Sequence, residues 1–110
     1  SRRQSDALAA RAEALVQARA ELQSQVDLQV HGARLAVAES RSRIGVAQGA
    51  LELVEENFRV ARDRYQSGVG TNTEVLDAEA LLEKSRSNHF NALYDHVLAR
   101  QRLLRALGRL

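Results

Sequence analysis

Apolar residues recur every seven positions along the first two thirds of the chain, the spacing of a helix that packs lengthwise against another helix. One column holds Val30, Val37, Ile44, Leu51, Phe58 and Tyr65. A second column, three positions further on, holds Ala33, Ala47, Val54 and Ala61, with Ser40 as its polar exception. The chain contains no proline that could interrupt the backbone. The pattern predicts one helix over about residues 5–67.

The same helix carries apolar positions outside these two columns. Leu8, Leu15 and Leu22 also stand seven apart, but the next step, to Val30, is eight residues. The apolar seam therefore changes phase near residues 25–29. A third column, formed by Val46, Leu53 and Val60, widens the apolar arc to about 160°. An arc of this width predicts contact with two neighbouring helices.

A glycine-containing segment, residues 67–71, ends the first helix. We expect the Thr71 hydroxyl to cap the Glu74 amide, and the Glu74 carboxylate to return to the Thr71 amide, as in a capping box. A second helix is predicted over about residues 72–107, ending at Gly108. One of its columns is small throughout and permits a close helix–helix approach: Ala78, Ser85, Ala92, Ala99 and Ala106. Larger residues flank it: Leu82, Leu93, Val97, Leu103 and Leu104.

Two helices with so short a link must fold back as an antiparallel hairpin. With the turn centred near Val69, residue i faces residue 138 minus i, so Leu107 lies opposite His31. The first thirty residues then have no partner within the chain, and the longer helix measures about 100 Å. The predicted fold class is all-α, a long antiparallel helical hairpin of coiled-coil type.

Composition removes several function classes. The chain has 110 residues, 45% apolar, no cysteine and a net charge of +2, which excludes a disulfide scaffold and disfavours disorder. The pI of about 9.7 comes from dispersed arginines, so we predict no nucleic-acid binding. No apolar stretch reaches the roughly 20 residues of a membrane span. The opening Ser1-Arg2-Arg3, without Met, indicates a fragment of a longer protein.

The sequence offers no catalytic or metal-binding constellation. There is no cysteine nucleophile, serine elbow or phosphate-binding loop. His89 and His96 are two helical turns apart, about 10.5 Å, too far for one metal ion to bridge. His31 lies on the other helix. We therefore predict no enzyme activity, no metal and no cofactor, and read these histidines as solvated or interfacial.

The run from Arg64 to Ala78, RYQSGVGTNTEVLDA, resembles the periplasmic tip motif of TolC-like outer-membrane efflux proteins. The likeness continues through residues 91–95 and 103–108, as in the second helix of that hairpin. Upstream, Arg2-Arg3-Gln4 and the alanine-rich heptads resemble the start of its long descending helix. The resemblance therefore covers essentially the whole chain.

This resemblance implies that residues 1–110 are the second-half periplasmic hairpin of such a channel, a fragment of its α-helical barrel. Three protomers would form the channel, anchored in the Gram-negative outer membrane by segments absent from this chain. A periplasmic adaptor would join its tip to an inner-membrane pump or ABC exporter, for multidrug efflux or type I secretion. No cofactor is implied.

The resemblance also assigns residues. Glu74 and Asp77 fall on the acidic positions that narrow the tunnel. The alternative is that Glu74 serves as a helix cap and Asp77 is a solvated acid in the first turn of the helix. The tip and adaptor contact would comprise Tyr65, Gly68, Val69, Gly70 and Thr71. Tyr65 alternatively continues the seam beyond Phe58, and a left-handed C-cap suffices to explain Gly68. Gly70 stands where a member of the family has an arginine, so the resemblance does not extend to a salt bridge between hairpins at this position.

Two other functions fit the heptads. One is a free-standing antiparallel coiled coil that spaces or dimerises other domains. The other is the helical hairpin of a periplasmic adaptor, although the tip motif fits that protein less well. Flanking sequence separates the three, because amphipathic strands before Ser1 select the channel and lipoyl-like segments select the adaptor.

Overall fold

The computed structural model describes residues 1–108, which form two helices and no strand. α1 spans Arg2–Gln66 and α2 spans Asn72–Ala106. The molecule measures 100 × 21 × 16 Å with a radius of gyration of 27.2 Å, whereas a compact domain of this length has about 13 Å. The all-α hairpin fold is thus confirmed. Of the predicted hairpin, 1–110, residues 109 and 110 lie outside the described residues.

α1 begins one turn earlier than the apolar pattern predicts, because its first turn is capped locally. The Ser1 hydroxyl accepts a hydrogen bond from the Gln4 amide at 3.4 Å. The Gln4 side chain in turn accepts one from the Ser1 amino group at 3.3 Å. This reciprocal pair satisfies free donors at the helix start, so the helix needs no apolar contact there.

The two heptad columns of α1 form the seam with α2. The small column of α2 faces α1 as predicted, with Ser85, Ala92 and Ala99 buried. Leu82 is only 4% exposed and packs into the same seam. By contrast, Leu93 and Val97, predicted to flank the small column, remain exposed. Small side chains at these positions permit a close approach of the two helices.

Ser40, the polar exception in its column, is the most buried residue of the seam, with 1% exposure. Its hydroxyl lies 2.9 Å from the Val37 carbonyl and 2.8 Å from His96 Nδ1 on α2. Burial of the serine is tolerated because its oxygen has partners on both helices. His96 is therefore interfacial, one of the two environments predicted for it.

Contacts across the hairpin confirm the predicted register. Arg43 Nη1 lies 3.4 Å from Asp95 Oδ2, and Arg64 Nε lies 3.8 Å from Glu74 Oε2. Both pairs obey the relation between i and 138 minus i. The two pairs are 21 residues, or three heptads, apart on each helix, so they lie on the same side of the hairpin. A shallow groove on that side is lined by Arg43, Val46 and Asp95.

The N-terminal part of α1 extends beyond the end of α2. Every residue before Val30 is exposed, including Leu8, Leu15 and Leu22. This part of the described chain has no helix packed against it, as the unequal helix lengths predict. Within residues 1–108, neither helix has a window apolar enough to cross a membrane.

Candidate functional site

The turn between the helices wraps tightly over the end of α1. The amides of Val69 and Gly70 both donate to the Arg64 carbonyl, each at 2.9 Å. Gly68 has a φ of 78°, the left-handed conformation predicted for it. These bonds satisfy a carbonyl that the helix end leaves free, and they hold the Arg64 backbone in a fixed position.

The start of α2 differs in one respect from the predicted capping box. The Thr71 hydroxyl accepts from the Glu74 amide at 3.2 Å, as predicted. The Glu74 carboxylate, however, makes no return bond to the Thr71 amide and lies 3.8 Å from Arg64 Nε. A guanidinium attracts a carboxylate more strongly than a neutral amide does. The reciprocal half of the predicted box is therefore wrong.

Gly70 is required by close approach rather than by a special backbone angle. A Cβ at this position would lie 2.9 Å from Glu74 Oε2 and 3.0 Å from Arg64 Cβ. It would also lie 3.2 Å from the Tyr65 amide nitrogen. The glycine thus leaves the space in which the Arg64 and Glu74 side chains meet.

Asp77 lies one turn beyond Glu74 on α2 and is exposed. Three helical residues correspond to about 60° around the axis, so both carboxylates lie on neighbouring parts of one face. Within residues 1–108, Asp77 forms no ion pair. The structure therefore brings Glu74 to Arg64 and leaves Asp77 open to solvent.

The tip also presents apolar surface. Val69, in the turn, is 68% exposed, and Tyr65, at the end of the α1 column, is 47% exposed. Tyr65 therefore continues the heptad in sequence but is only half covered by the seam. Gly68 and Thr71 lie in the same turn and are likewise exposed.

Two apolar stripes outside the seam remain uncovered. On α1 the stripe is the predicted third column, Val46, Leu53 and Val60, with Val46 72% exposed. On α2 it consists of Phe90, Val97 and Leu104, with Phe90 66% exposed. The α1 stripe shares its side of the hairpin with Asp95, since Val46 and Asp95 line one groove. Phe90 and Val97 lie about 140–160° around α2 from Asp95, on the opposite side of that helix.

A cluster of charges near the tip faces away from this groove. Arg59 donates to both oxygens of Glu56 at 2.9 and 2.6 Å and to Asp63 at 2.9 Å. The hydrogen bond from Arg59 lowers the pKa of Glu56, and Glu56 raises the pKa of the guanidinium. Because all three side chains are about half exposed, the cluster contributes a solvated charged surface.

No three metal-ligating side chains come together in the part of the chain that the structure describes. His96 is engaged with Ser40, and His89 is half-buried one heptad away in the same column. What the sequence did not reveal is the pairing of Arg64 with Glu74. The 138 minus i register was the available signal, since it places residue 74 directly opposite residue 64.

An elongated pair of helices with uncovered apolar stripes and a polar turn is typical of helical hairpins that pack against further helices. The chain belongs to the outer membrane efflux protein family, whose model matches residues 1–109. The resemblance noted from the tip motif is thereby confirmed. No curated protein and no solved structure matches the chain.

Proposed function

We propose that this hairpin is part of the periplasmic tunnel wall of a trimeric TolC-like outer-membrane channel. The channel conducts substrates passively, in multidrug efflux or type I secretion. Its tip, residues 67–71 with Tyr65, docks a periplasmic adaptor. The adaptor connects it to an inner-membrane pump or ABC exporter, which supplies the energy. Family membership and the length of the rod support this assignment.

The observation that carries the proposal is the position of the two uncovered stripes. They lie on different helices, with Val46 in one and Phe90 in the other, and each is about 100–160° around its helix from the seam residues. Each stripe therefore lies on an outer edge of the hairpin that the other helix leaves uncovered. A second hairpin placed alongside can therefore cover the α1 stripe with its own α2 stripe, and the contact can repeat. Heterologous contacts of this kind generate rings when the rotation closes. A ring of long hairpins is a tube.

The polar face of α2 suits the inside of that tube. Lys84, Asn88 and Asn91 lie on the same side as Glu74, Asp77 and Asp95, with Leu81 as the one large exposed apolar residue among them. A water-filled passage needs polar lining, and acidic rings favour cations. Glu74 and Asp77 accordingly form the acidic constriction near the tip.

The constriction is tested in the full-length channel, reconstituted in planar bilayers under a KCl gradient. The double variant Glu74→Gln with Asp77→Asn should lower the K⁺ to Cl⁻ permeability ratio by at least about threefold, because it removes two carboxylates per hairpin from the narrowest part. The measurement is the reversal potential.

The matched control removes two carboxylates from the other side of α1, as Glu52→Gln with Glu55→Gln. Its permeability ratio should stay close to that of the unmodified channel. Equal ratios for the unmodified channel and the Glu74/Asp77 variant contradict the lumenal assignment. Equal decreases in both double variants mean that selectivity follows overall charge rather than this site.

Adaptor docking is tested through Val69, whose side chain is exposed at the turn. The chain has no cysteine, so Val69→Cys introduces a single reactive position in this segment. A photoactivatable crosslinker attached there should capture the adaptor in cells that contain the full assembly. The same label at Gln17, on the overhang far from the tip, is the control. Capture from Gln17 alone contradicts docking through the tip.

A further inference from the structure

We propose that Arg64 determines the ion selectivity of the constriction by neutralising Glu74 within the same hairpin, so that Asp77 supplies the unpaired charge. This proposal rests on the proposed function, because it concerns the same constriction. It adds a residue from α1 that the tip motif does not mark as functional. It also separates the roles of two carboxylates that otherwise look equivalent.

The first support is that the Arg64 backbone is held in place by the turn. Two amides, those of Val69 and Gly70, converge on its carbonyl at 2.9 Å. The side chain therefore leaves α1 from a fixed point, directly opposite Glu74 in the hairpin register. A long side chain anchored in this way loses less freedom when it forms a pair than one on a mobile segment.

The second support is the shape of the space between the helices at this level. Nε of Arg64 lies 3.8 Å from Oε2 of Glu74. A Cβ at Gly70 would fall 2.9 Å from the same Glu74 oxygen and 3.0 Å from Arg64 Cβ. Any larger residue at position 70 displaces one partner. Glycine at this position thus permits the pair.

The third support is electrostatic. Arg64 and Glu74 are about half exposed, with side-chain exposures of 50% and 48%, so their pairing adds little stability. It nevertheless sets the charge that an ion meets, because a guanidinium beside a carboxylate cancels most of its field at longer range. Asp77 has no ion-pair partner within residues 1–108. Arg64, Glu74 and Asp77 together therefore present one net negative charge per hairpin instead of two.

The proposal predicts that Arg64→Gln increases cation selectivity, because it releases the second carboxylate. In the full-length channel in planar bilayers, the K⁺ to Cl⁻ permeability ratio should rise at least about twofold. The double variant Arg64→Gln with Glu74→Gln should return to the ratio of the unmodified channel, since it removes the pair as a unit. The charge swap Arg64→Glu with Glu74→Arg should also keep that ratio.

Arg62→Gln is the matched control, because it removes the same charge two residues away. Arg62 lies over the Phe58 ring, with its Cζ 5.7 Å from the centroid, and forms none of the ion pairs within residues 1–108. Its substitution should change the ratio by less than about 1.3-fold. Equal increases in the permeability ratio for Arg62→Gln and Arg64→Gln overturn the proposal. Selectivity would then depend on positive charge near the tip end of α1, whether or not that charge is paired with Glu74.

The same recordings separate this inference from the function on which it rests. If neutralising Glu74 and Asp77 together changes selectivity but Arg64→Gln does not, the constriction stands and the role of Arg64 is wrong. If neither has an effect, the constriction itself is wrong. If the Arg64→Gln channel does not assemble into trimers on native gels, the charge swap provides the test. A K⁺ to Cl⁻ permeability ratio of the charge-swap channel that differs from that of the unmodified channel contradicts direct pairing of Arg64 with Glu74.

Discussion

The two parts of α1 both have apolar residues seven positions apart but differ in what covers these residues. From Val30 to Ala61 the repeat forms a seam against α2, with Val54 buried. Before Val30 the leucines at 8, 15 and 22 are exposed to solvent. The difference arises from length alone, because α1 has 65 residues and α2 has 35. A heptad repeat therefore predicts a helix face that packs against another helix, and the length of α2 decides how much of that face is covered within the chain.

The overhang is the part of the hairpin that depends most on other helices. Thirty residues of helix correspond to about 45 Å, almost half of the 100 Å rod. An isolated helix in water draws little stability from its intrinsic propensity, because most helical stability comes from packing. In the tunnel that we propose, neighbouring helices cover this part, whereas the seam already stabilises the rest.

The largest expected difference between the two parts is in the effect of removing a leucine. Leu82→Ala, in the seam at 4% exposure, should lower the free energy of unfolding of the 110-residue chain by about 2–3 kcal/mol, because it leaves a cavity. Leu15→Ala, in the overhang at 71% exposure, should change it by less than about 0.5 kcal/mol. Urea unfolding followed by circular dichroism at low protein concentration measures both.

The protein concentration is the control in this comparison. If the overhangs of two chains pair at high concentration, Leu15→Ala becomes destabilising there and only there, since association links stability to concentration. If Leu82→Ala and Leu15→Ala lower the free energy of unfolding by similar amounts at all concentrations, the overhang cannot be uncovered in the single chain.

A smaller effect is expected from the polar contact within the seam. Ser40→Ala should destabilise the chain by about 1 kcal/mol, because it leaves His96 Nδ1 without its partner in a half-buried place. Adding His96→Leu to Ser40→Ala should recover part of this loss, since both polar groups are then gone. A double-mutant cycle of urea midpoints measures the coupling between the two side chains.

The overhang again supplies the control. Ser24→Ala removes a hydroxyl of the same kind from an exposed position on α1, and it should leave the midpoint almost unchanged. Independent effects of Ser40 and His96 in the cycle mean that the 2.8 Å contact contributes nothing to stability, and the seam then tolerates the serine for another reason.

Much of the fold could be read from local chemistry. Residue spacing predicted both columns of α1 and the small column of α2, and the turn residues predicted the left-handed Gly68 and the Thr71 cap. The structure contains all of these features. The antiparallel register followed from the short turn, and the pair of Arg43 and Asp95 obeys it. These features depend on neighbours within a turn or two, which a sequence displays directly.

The side-chain contacts at the tip, and the contact between Ser40 and His96 in the seam, could not be predicted in the same way. The heptad marked Ser40 as an exception, yet it is the most buried residue of the seam because His96 reaches it from the other helix. The capping motif predicted that the Glu74 carboxylate bonds to the Thr71 amide, yet it forms an ion pair with Arg64. In both cases the deciding partner is distant in sequence, and its approach depends on the separation and rotation of the helices.

The amino-acid sequence by itself determined the two helices, the turn between them and the apolar faces available to partner helices, because helix periodicity and capping are local effects. Only the tertiary structure decided which polar groups meet across the seam, that Gly70 makes room for Arg64 and Glu74, and that the uncovered stripes lie on outer edges of the hairpin. Side chains on two helices meet only at one combination of register, rotation and distance. That combination exists once the hairpin has closed.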